Sequence, residues 1–177
     1  TTRSKDTPTT FLFNPSFKFN DDVMAYIRVA SGFRPGGPNV GVPPGLGAPV
    51  SFGPDKLTSY ELGFKATMLD RRMSLDADVF YIDWSHIQLT STAGGFSFLG
   101  NGGKAISQGV EASWKYAPAR GLVLSANTSY TDAALTADTP PGLFGYDGDR
   151  LPWVPKWNAT IGLDYDFPIG GGWSGSA

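Results

Sequence analysis

Residues 57–89 read LTSYELGFKATMLDRRMSLDADVFYIDWSHIQL, and their pattern decides the fold. Every second residue from Tyr60 to Met68 is apolar, and the residues between them are polar, charged or glycine. After the break LDRR the alternation resumes from Met73 to Tyr81. A period of two over this length is typical of a β-strand and not of a helix. Two such runs joined by a few polar residues predict an antiparallel hairpin.

The register of this hairpin follows from the parity of its two runs. Pairing the runs at their turn ends places Lys65 opposite Asp76 on one face and Tyr60 opposite Tyr81 on the other. Opposite charges and aromatic rings are both favourable cross-strand pairs. We therefore expect a hairpin with one charged face and one apolar face.

Alternating runs of the same kind recur along most of the chain. Further strands are predicted at residues 10–20, 23–33, 104–116, 122–131, 156–167 and 173–177. Short turns at residues 20–22, 69–72, 117–121 and 168–172 alternate with long loops at residues 34–56, 90–103 and 132–152. In an up-and-down sheet this order puts every short turn at one edge and every long loop at the other. The sequence therefore predicts an all-β, antiparallel up-and-down meander.

Aromatic side chains mark both ends of the apolar face. Those near the long loops are Tyr60, Tyr81, Tyr130 and Trp157. Those near the short turns are Phe17, Phe19, Trp114, Tyr116, Tyr165 and Phe167. Smaller aliphatic residues lie between the two groups, as expected where rings sit at two membrane–water interfaces and aliphatic side chains meet hydrocarbon. This banding favours part of a transmembrane β-barrel, while alternation by itself also fits a soluble β-sandwich whose core is the apolar face.

Composition excludes several classes of protein. The 177 residues include 23 Gly, 14 Pro and no Cys, and the net charge is −2. The absence of Cys excludes disulfides and thiolate chemistry, and this net charge does not indicate nucleic-acid binding. No stretch resembles the roughly 20 apolar residues of a membrane helix. Residues 1–177 are expected to form one partial barrel domain within a longer chain.

The sequence contains little that indicates catalysis or a cofactor. A single histidine, His86, and the lack of cysteine argue against a zinc site. Asp76 and Asp78 share one strand face, and ion pairs facing a water-filled lumen explain them more simply than an acid–base pair does. We expect no enzyme activity and no cofactor.

Candidate ligand contacts lie in the long loops. Arg34 stands where a strand meets a loop, and its position fits either binding of an anionic ligand or hydrogen bonds that hold the loop. The aromatic candidates are Phe52, Phe96, Phe98, Phe144 and Tyr146. Such rings either line a vestibule for an aromatic or chelating ligand or anchor the loops on one another. The residues alone leave both roles open.

Five segments, in order along the chain, resemble TonB-dependent outer-membrane receptors. They are FRPGG at residues 33–37, LTSYELGFK at 57–65, VFYIDW at 79–84, SQGVE at 107–111 and RLPWVPK at 150–156. The resemblance extends over nearly the whole chain from about residue 11 onward. No plug and no aromatic C-terminal strand ending is recognisable, so the chain is expected to be a middle section of such a barrel.

The resemblance implies a barrel of ~22 strands in the outer membrane of a Gram-negative cell, filled by an N-terminal plug. Such receptors take up ferric siderophores, cobalamin or sugars, with energy from the TonB complex acting through the plug. Outer-membrane lipid and a ferric siderophore or similar small ligand are the implied partners. A passive porin-like channel and a soluble carbohydrate-binding β-sandwich remain as alternatives.

Overall fold

The structure is a computed structural model that describes residues 7–177, and residues 1–6 of the predicted domain lie outside the described part. The regular structure in that part consists of strands. They are β1 (Leu12–Phe13), β2 (Ser16–Lys18), β3 (Val23–Arg34), β4 (Gly37–Pro38), β5 (Ser51–Phe52), β6 (Asp55–Met68), β7 (Met73–Ser85), β8 (Gln88–Ala93), β9 (Phe96–Asn101), β10 (Lys104–Ala119), β11 (Leu122–Leu135), β12 (Trp157–Gly170) and β13 (Trp173–Ser176). None of residues 7–177 belongs to a helix long and apolar enough to cross a membrane.

The long strands form one antiparallel meander. Its order is β3-β6-β7-β10-β11-β12-β13. Strands β1 and β2 both pair with the edge of β3 that does not pair with β6. Strands β1 and β2 form one edge of the described sheet and β13 forms the other, so the sheet is open. The predicted up-and-down, partial-barrel topology is confirmed.

The central hairpin has the predicted register. Lys65 lies opposite Asp76, and their side chains form an ion pair on one face. Tyr60 lies opposite Tyr81 on the other face, with ring centroids 6.4 Å apart. The turn at residues 69–72 contains three consecutive non-glycine residues with positive φ, which lets the chain reverse within a few residues.

The first predicted strand, residues 10–20, is wrong as a single element. It is divided into β1 and β2 at Asn14 and Pro15. Pro15 has no N–H to donate to the ladder, although its carbonyl accepts from the N–H of Ile27 at 3.0 Å. A proline of this kind is tolerated because the segment lies at the edge of the sheet.

The long loops contain more structure than the sequence predicted. Residues 90–103 were expected to be irregular, but β8 and β9 pair as a hairpin over most of that range. Its turn is Gly94-Gly95, and both residues have positive φ, as a tight two-residue hairpin turn requires. The first long loop likewise contains the short pair β4–β5, and it ends earlier than predicted because β6 begins at Asp55.

One face of the meander is apolar across every long strand. The pairing aligns Ile27, Leu62, Val79 and Val110 in one row across β3, β6, β7 and β10. About half of the surface of each of these side chains is exposed, at 50%, 55%, 48% and 48%. Within residues 7–177 no second sheet or helix layer covers this face, as one would in the core of a β-sandwich.

Ring pairs lie at both ends of the apolar face. At the long-loop end they are Tyr60–Tyr81, 6.4 Å between centroids, and Tyr130–Trp157, 4.9 Å. At the short-turn end they are Phe17–Phe19, 5.1 Å, Trp114–Tyr116, 5.9 Å, and Tyr165–Phe167, 5.7 Å. The aromatic banding expected of a membrane-spanning sheet is therefore present in the folded chain.

The buried core lies near the long loops and on the opposite face. Its centre is Ile87, Ala105 and Leu135, and Trp84, Leu89 and Leu151 pack against it. Trp84, Ala105 and Leu135 are direct cross-strand neighbours on β7, β10 and β11. Their parity is opposite to that of the exposed apolar row. Hydrophobic packing thus changes face where the sheet extends past the aromatic band.

Candidate ligand-binding loops

Three loops leave the sheet at the edge opposite the short turns. Loop L1 is defined as residues 35–54, L2 as residues 86–103 and L3 as residues 136–156. L1 contains β4–β5, and L2 contains β8–β9. The sequence-predicted site residues all lie in these loops or at their base.

Arg34 is held at the base of L1 by Asp55. The two residues are cross-strand partners, and the Arg34 Nε donates to Asp55 Oδ2 at 2.9 Å while a terminal guanidinium nitrogen forms an ion pair with the same oxygen. Asp55 is 1% exposed, whereas about half of the Arg34 side chain is exposed and its guanidinium lies 5.0 Å from the Trp84 ring centroid. These contacts fit the loop-holding role considered for Arg34, and its charge is largely compensated.

The electrostatics of Asp55 match this arrangement. Burial alone favours the neutral carboxyl group and raises its pKa. Hydrogen bonds from Arg34 and from the backbone N–H of Gln88, together with the guanidinium charge, outweigh burial and hold the pKa of Asp55 below its ordinary value. The carboxylate is thus the stable form at neutral pH.

Gln88 joins both ends of L1 to L2. Its side-chain amide donates to the carbonyl of Pro35 at 3.0 Å and to the carbonyl of Gly53 at 3.0 Å. Its backbone N–H donates to Asp55 at 3.2 Å. The Gln88 side chain therefore attaches both the start and the end of L1 to the first residue of β8.

Two asparagines complete the connection between L1 and L2. Asn101 accepts from the N–H of Gly53 at 2.6 Å and donates to the carbonyls of Gly53 at 3.0 Å and His86 at 2.9 Å. Asn39 donates to the carbonyl of Leu99 at 2.7 Å and accepts from its N–H at 2.9 Å. In each case the amide pairs with both backbone groups of one residue, as a neighbouring strand would.

L3 is attached to L2 and to β10. Ser91 donates to the carbonyl of Gly142 at 2.7 Å, and the N–H of Thr136 donates to the carbonyl of Lys104 at 2.8 Å. Leu143 packs so closely on Gly100 that a Cβ added there would lie 2.8 Å from its Cδ2. The three loops are thus one interlocked layer, held by side-chain amides, hydroxyls and close backbone packing.

Two of the predicted aromatic contacts lie inside this layer. Phe98 is 5% exposed and is part of the packing of L2. Phe52 is half-buried, and its ring lies over Gly37, where an added Cβ would be 3.2 Å from the ring edge. For these two rings the geometry fits the loop-anchoring role, and Phe98 offers almost no surface to a ligand.

Three other predicted rings are presented outward. Phe96 is 43% exposed, Phe144 is 78% exposed and Tyr146 is 66% exposed. Phe144 also has a φ of 56°, a left-handed conformation that a bulky residue rarely adopts. Adjacent hydrogen bonds hold this part of L3, since Thr139 Oγ1 both donates to the carbonyl of Gly145 at 2.9 Å and accepts from its N–H at 2.8 Å.

Sequence reasoning missed the polar residues that hold the loops. Asp55, Asn101 and Asn39 lie in segments rich in Gly, Pro and Ser, where polar side chains are ordinary and carry no periodic signal. Gln88 lies between Ile87 and Leu89, and one polar residue there does not indicate a role. The pairing of β3 with β6 would have placed Arg34 opposite Asp55. That register was not readable, because the long loop L1 does not fix it as a short turn does.

The described residues offer no preformed site for a metal ion. Among residues 7–177, no cluster of three or more His, Cys, Asp or Glu side chains is arranged to hold one.

Comparison with known proteins gives the context of this sheet and its loops. The family model described as TonB dependent receptor-like, beta-barrel, matches residues 1–177. The pesticin receptor of Yersinia enterocolitica is 33% identical over 159 residues, which cover 89% of this chain and 22% of that protein. The ferrichrome outer membrane transporter/phage receptor of Escherichia coli is 28% identical over 152 residues, covering 86% of this chain and 19% of that protein.

A solved structure supports the same relationship. The ferric yersiniabactin uptake receptor FyuA from Yersinia pestis superimposes with a TM-score of 0.72 at 27% identity, over 88% of this chain and 22% of that chain. The chain thus spans about a fifth of the length of the relatives that it matches.

Proposed function

Because this chain belongs to the TonB-dependent receptor β-barrel family, we propose that it forms wall and extracellular loops of a receptor for energised uptake of a ferric siderophore. Family membership is supported along the whole sequence and agrees with the confirmed meander. The chain lies in the outer membrane of a Gram-negative cell, as its relatives do. Its short turns then face the periplasm, and L1, L2 and L3 face the outside.

The ligand class is proposed from two relatives. One solved neighbour is named as a ferric yersiniabactin uptake receptor, and one relative is named as a ferrichrome outer membrane transporter. Both names describe small iron chelates. The single observation in this chain that best supports such a ligand is the interlocked loop layer, which holds exposed aromatic rings above the barrel wall.

We assign the ligand surface to Phe96, Phe144 and Tyr146. A rigid layer presents these rings with little entropy left to lose on binding, which favours affinity. Arg34, Phe52 and Phe98 are assigned to holding the loops together, because they pack within the loop layer or pair at its base. In this proposal Arg34 is a positioning residue, since its guanidinium is engaged by Asp55.

Two further partners belong to the same proposal. The apolar face between the two aromatic bands contacts outer-membrane lipid, because that face is uncovered in the described residues. Energy reaches the barrel from the TonB complex through a plug, a role that rests on family membership alone. The wall described here performs no covalent chemistry.

Uptake by the full-length receptor tests this function. We expect a strain that lacks its own siderophore receptors to accumulate a labelled ferric siderophore when it expresses the receptor, and to lose accumulation when TonB is deleted. Accumulation that persists without TonB would indicate a passive channel. No accumulation of any ferric siderophore would contradict the proposed ligand class.

Binding variants test the assigned surface separately. Removing the rings in Phe144→Ala and Tyr146→Ala is expected to raise the Kd for the ferric siderophore about tenfold, equivalent to about 1.4 kcal/mol. Val40→Ala is the matched control, because Val40 is also a highly exposed apolar loop residue, at 86%, but has no ring. An unchanged Kd in both ring variants would show that the ligand binds elsewhere on the receptor.

A further inference from the structure

Two of the three loops contain no Asp, Glu, Lys or Arg. L1, residues 35–54, has none, and neither has L2, residues 86–103, in which His86 is the one titratable side chain. Charged residues make up 17% of the whole chain, so these two long loops depart clearly from the rest of the sequence. The side chains that L1 and L2 can offer a ligand are therefore apolar, aromatic, hydroxyl and amide groups.

The third loop has more negative than positive side chains. The acidic residues of L3 are Asp138, Asp147 and Asp149, and the basic ones are Arg150 and Lys156. Lys156 is paired with Asp132 of β11, with 3.5 Å between Nζ and Oδ1. Arg150 Nη2 donates to the carbonyl of Val154 at 3.0 Å, at the end of the loop that leads into β12. Once Lys156 is paired, three carboxylates and one guanidinium remain in L3.

The three carboxylates lie beside the proposed ligand surface. Asp149 Oδ2 accepts from the backbone N–H of Tyr146 at 2.8 Å, and Asp147 follows Tyr146 in the chain. Asp138 Oδ1 accepts from the N–H of Asp147 at 2.9 Å. All three aspartates are exposed. Negative charge is thus held by hydrogen bonds next to one of the rings that would contact the ligand.

The cations at the ends of the neighbouring strands are engaged or lie on the other face. Arg34 forms its ion pair at the base of L1. Lys56 and Lys104 have the parity of Leu62 and Val110, so they lie on the outer face of the wall. The loop layer therefore offers an anion little compensation for the carboxylates of L3.

Aromatic rings do not favour an anion either. The face of a ring carries partial negative charge, which attracts cations and repels anions. Repulsion between a chelate of threefold negative charge and one carboxylate, at roughly 8 Å in water, corresponds to about tenfold in Kd. A neutral chelate avoids that repulsion and still gains contacts with rings, hydroxyls and amides.

We propose, resting on the siderophore function proposed above, that the ferric chelate bound by L1, L2 and L3 carries no net negative charge. Three hydroxamate groups, each with a single negative charge, balance Fe³⁺ and give such a complex. Three catecholate groups, each with a double negative charge, leave a complex of threefold negative charge. The loops thus select the first class of ligand over the second.

A matched pair of chelates tests this selection on the full-length receptor in detergent. Both are synthetic ferric complexes on the same tripodal scaffold, one with three hydroxamates and the other with three catecholates. Titration calorimetry gives the Kd of each complex at low and at physiological salt concentration. We expect the trihydroxamate complex to bind with a Kd that salt hardly changes. The tricatecholate complex should bind about tenfold more weakly at low salt, and the difference should narrow as salt screens the repulsion.

Reversing one charge beside the rings locates the effect in L3. Asp147→Lys is expected to tighten binding of the tricatecholate complex by about tenfold and to change the Kd of the trihydroxamate complex by less than about twofold. Asp21→Lys is the matched control, because it makes the same reversal in an exposed short turn at the other end of the wall. It should change neither Kd.

Two results would overturn the proposal while a ferric chelate still binds. The first is a tricatecholate complex that binds as tightly as the trihydroxamate complex, or more tightly, at low salt. The second is a tricatecholate Kd that is the same in Asp147→Lys as in the wild type. Binding of neither complex would instead contradict the proposed siderophore function, and this inference with it.

Discussion

Arg34 and Asp55 are cross-strand partners at the loop ends of β3 and β6, and their ion pair joins the two ends of L1. The backbone N–H of Arg34 also donates to Asp55 Oδ1 at 3.1 Å, so both carboxylate oxygens are used. Gln88 then attaches the closed loop to L2. This one buried carboxylate therefore contacts the start of L1 through Arg34 and the start of β8 through the N–H of Gln88.

Removing the charge of Asp55 should release the base of L1. In Asp55→Asn the shape is retained, but the ion pair and the charge-assisted hydrogen bonds are lost, and such bonds contribute about 2 kcal/mol. Hydrogen exchange of the full-length receptor should therefore show weaker protection at the N–H groups of Gln88 and Gly53. Asp147→Asn, an exposed change in L3, is the control and should leave protection unchanged. Equal protection in wild type and Asp55→Asn would show that the amides hold L1 without the carboxylate.

The same carboxylate predicts how the loops respond to acid. The folded pKa of Asp55 is below its ordinary value of 3.8, so its stabilising contribution is present above that ordinary value and is lost as pH falls through the folded value. Protection factors at Gln88 should be constant from neutral pH down to about pH 5 and should decline only below about pH 4. In Asp55→Asn this acid-dependent decline should be absent. A decline already centred near pH 6 would implicate a different group.

A charge placed on the apolar face should be far more costly than one placed on the opposite face. Leu62→Arg puts a guanidinium just inside the aromatic band and is expected to destabilise the full receptor by about 2 kcal/mol. Ser59→Arg, three residues earlier on the inner face of β6, should cost less than about 1 kcal/mol. Denaturant unfolding in lipid vesicles measures both. Similar values for the two variants would count against the assigned orientation.

The ring of Tyr26 packs against the backbone of Gly63 and leaves no room for a side chain there. A Cβ at this position would overlap the ring of Tyr26, whose hydroxyl donates to Glu61 at 2.5 Å. Gly63→Ala should therefore displace the tyrosine, break its hydrogen bond and destabilise the wall by about 1–3 kcal/mol. Gly32→Ala is the matched control on β3, since its Cβ would meet Leu57 at an ordinary 3.6 Å. If both variants unfold at the same denaturant concentration, the contact with Tyr26 is not limiting.

The sequence predicted those parts of the fold that depend on parity and short turns. The pairing of Tyr60 with Tyr81 was readable because a slip of one residue would reverse both faces of the hairpin. The β8–β9 hairpin was missed although Gly94-Gly95 is a hairpin signal, because its strands have no consistent alternation of apolar residues. Periodicity thus identifies strands whose buried face is apolar, and it misses a strand such as β8, in which the buried residue is Ser91.

The candidate site was only partly predictable for a related reason. Phe98 and Phe144 both lie in Gly-rich loops, yet one is 5% exposed and the other 78%. Their difference results from contacts between loops distant in sequence, such as Ser91 with Gly142. The change of apolar face near Trp84 was likewise hidden, because it depends on where the sheet leaves the membrane.

Spin labels report directly which face of the β-sheet meets the hydrocarbon of the membrane. The segment contains no cysteine of its own, so spin labels can be attached at Ala112→Cys and Ser113→Cys, consecutive residues of β10 that point to opposite faces. In the full-length receptor in bilayers, the label at residue 112 should collide with membrane-dissolved oxygen and be shielded from a water-soluble nickel chelate. The label at residue 113 should show no such preference for oxygen. A label at residue 112 that the nickel chelate reaches as readily as oxygen does would contradict the account.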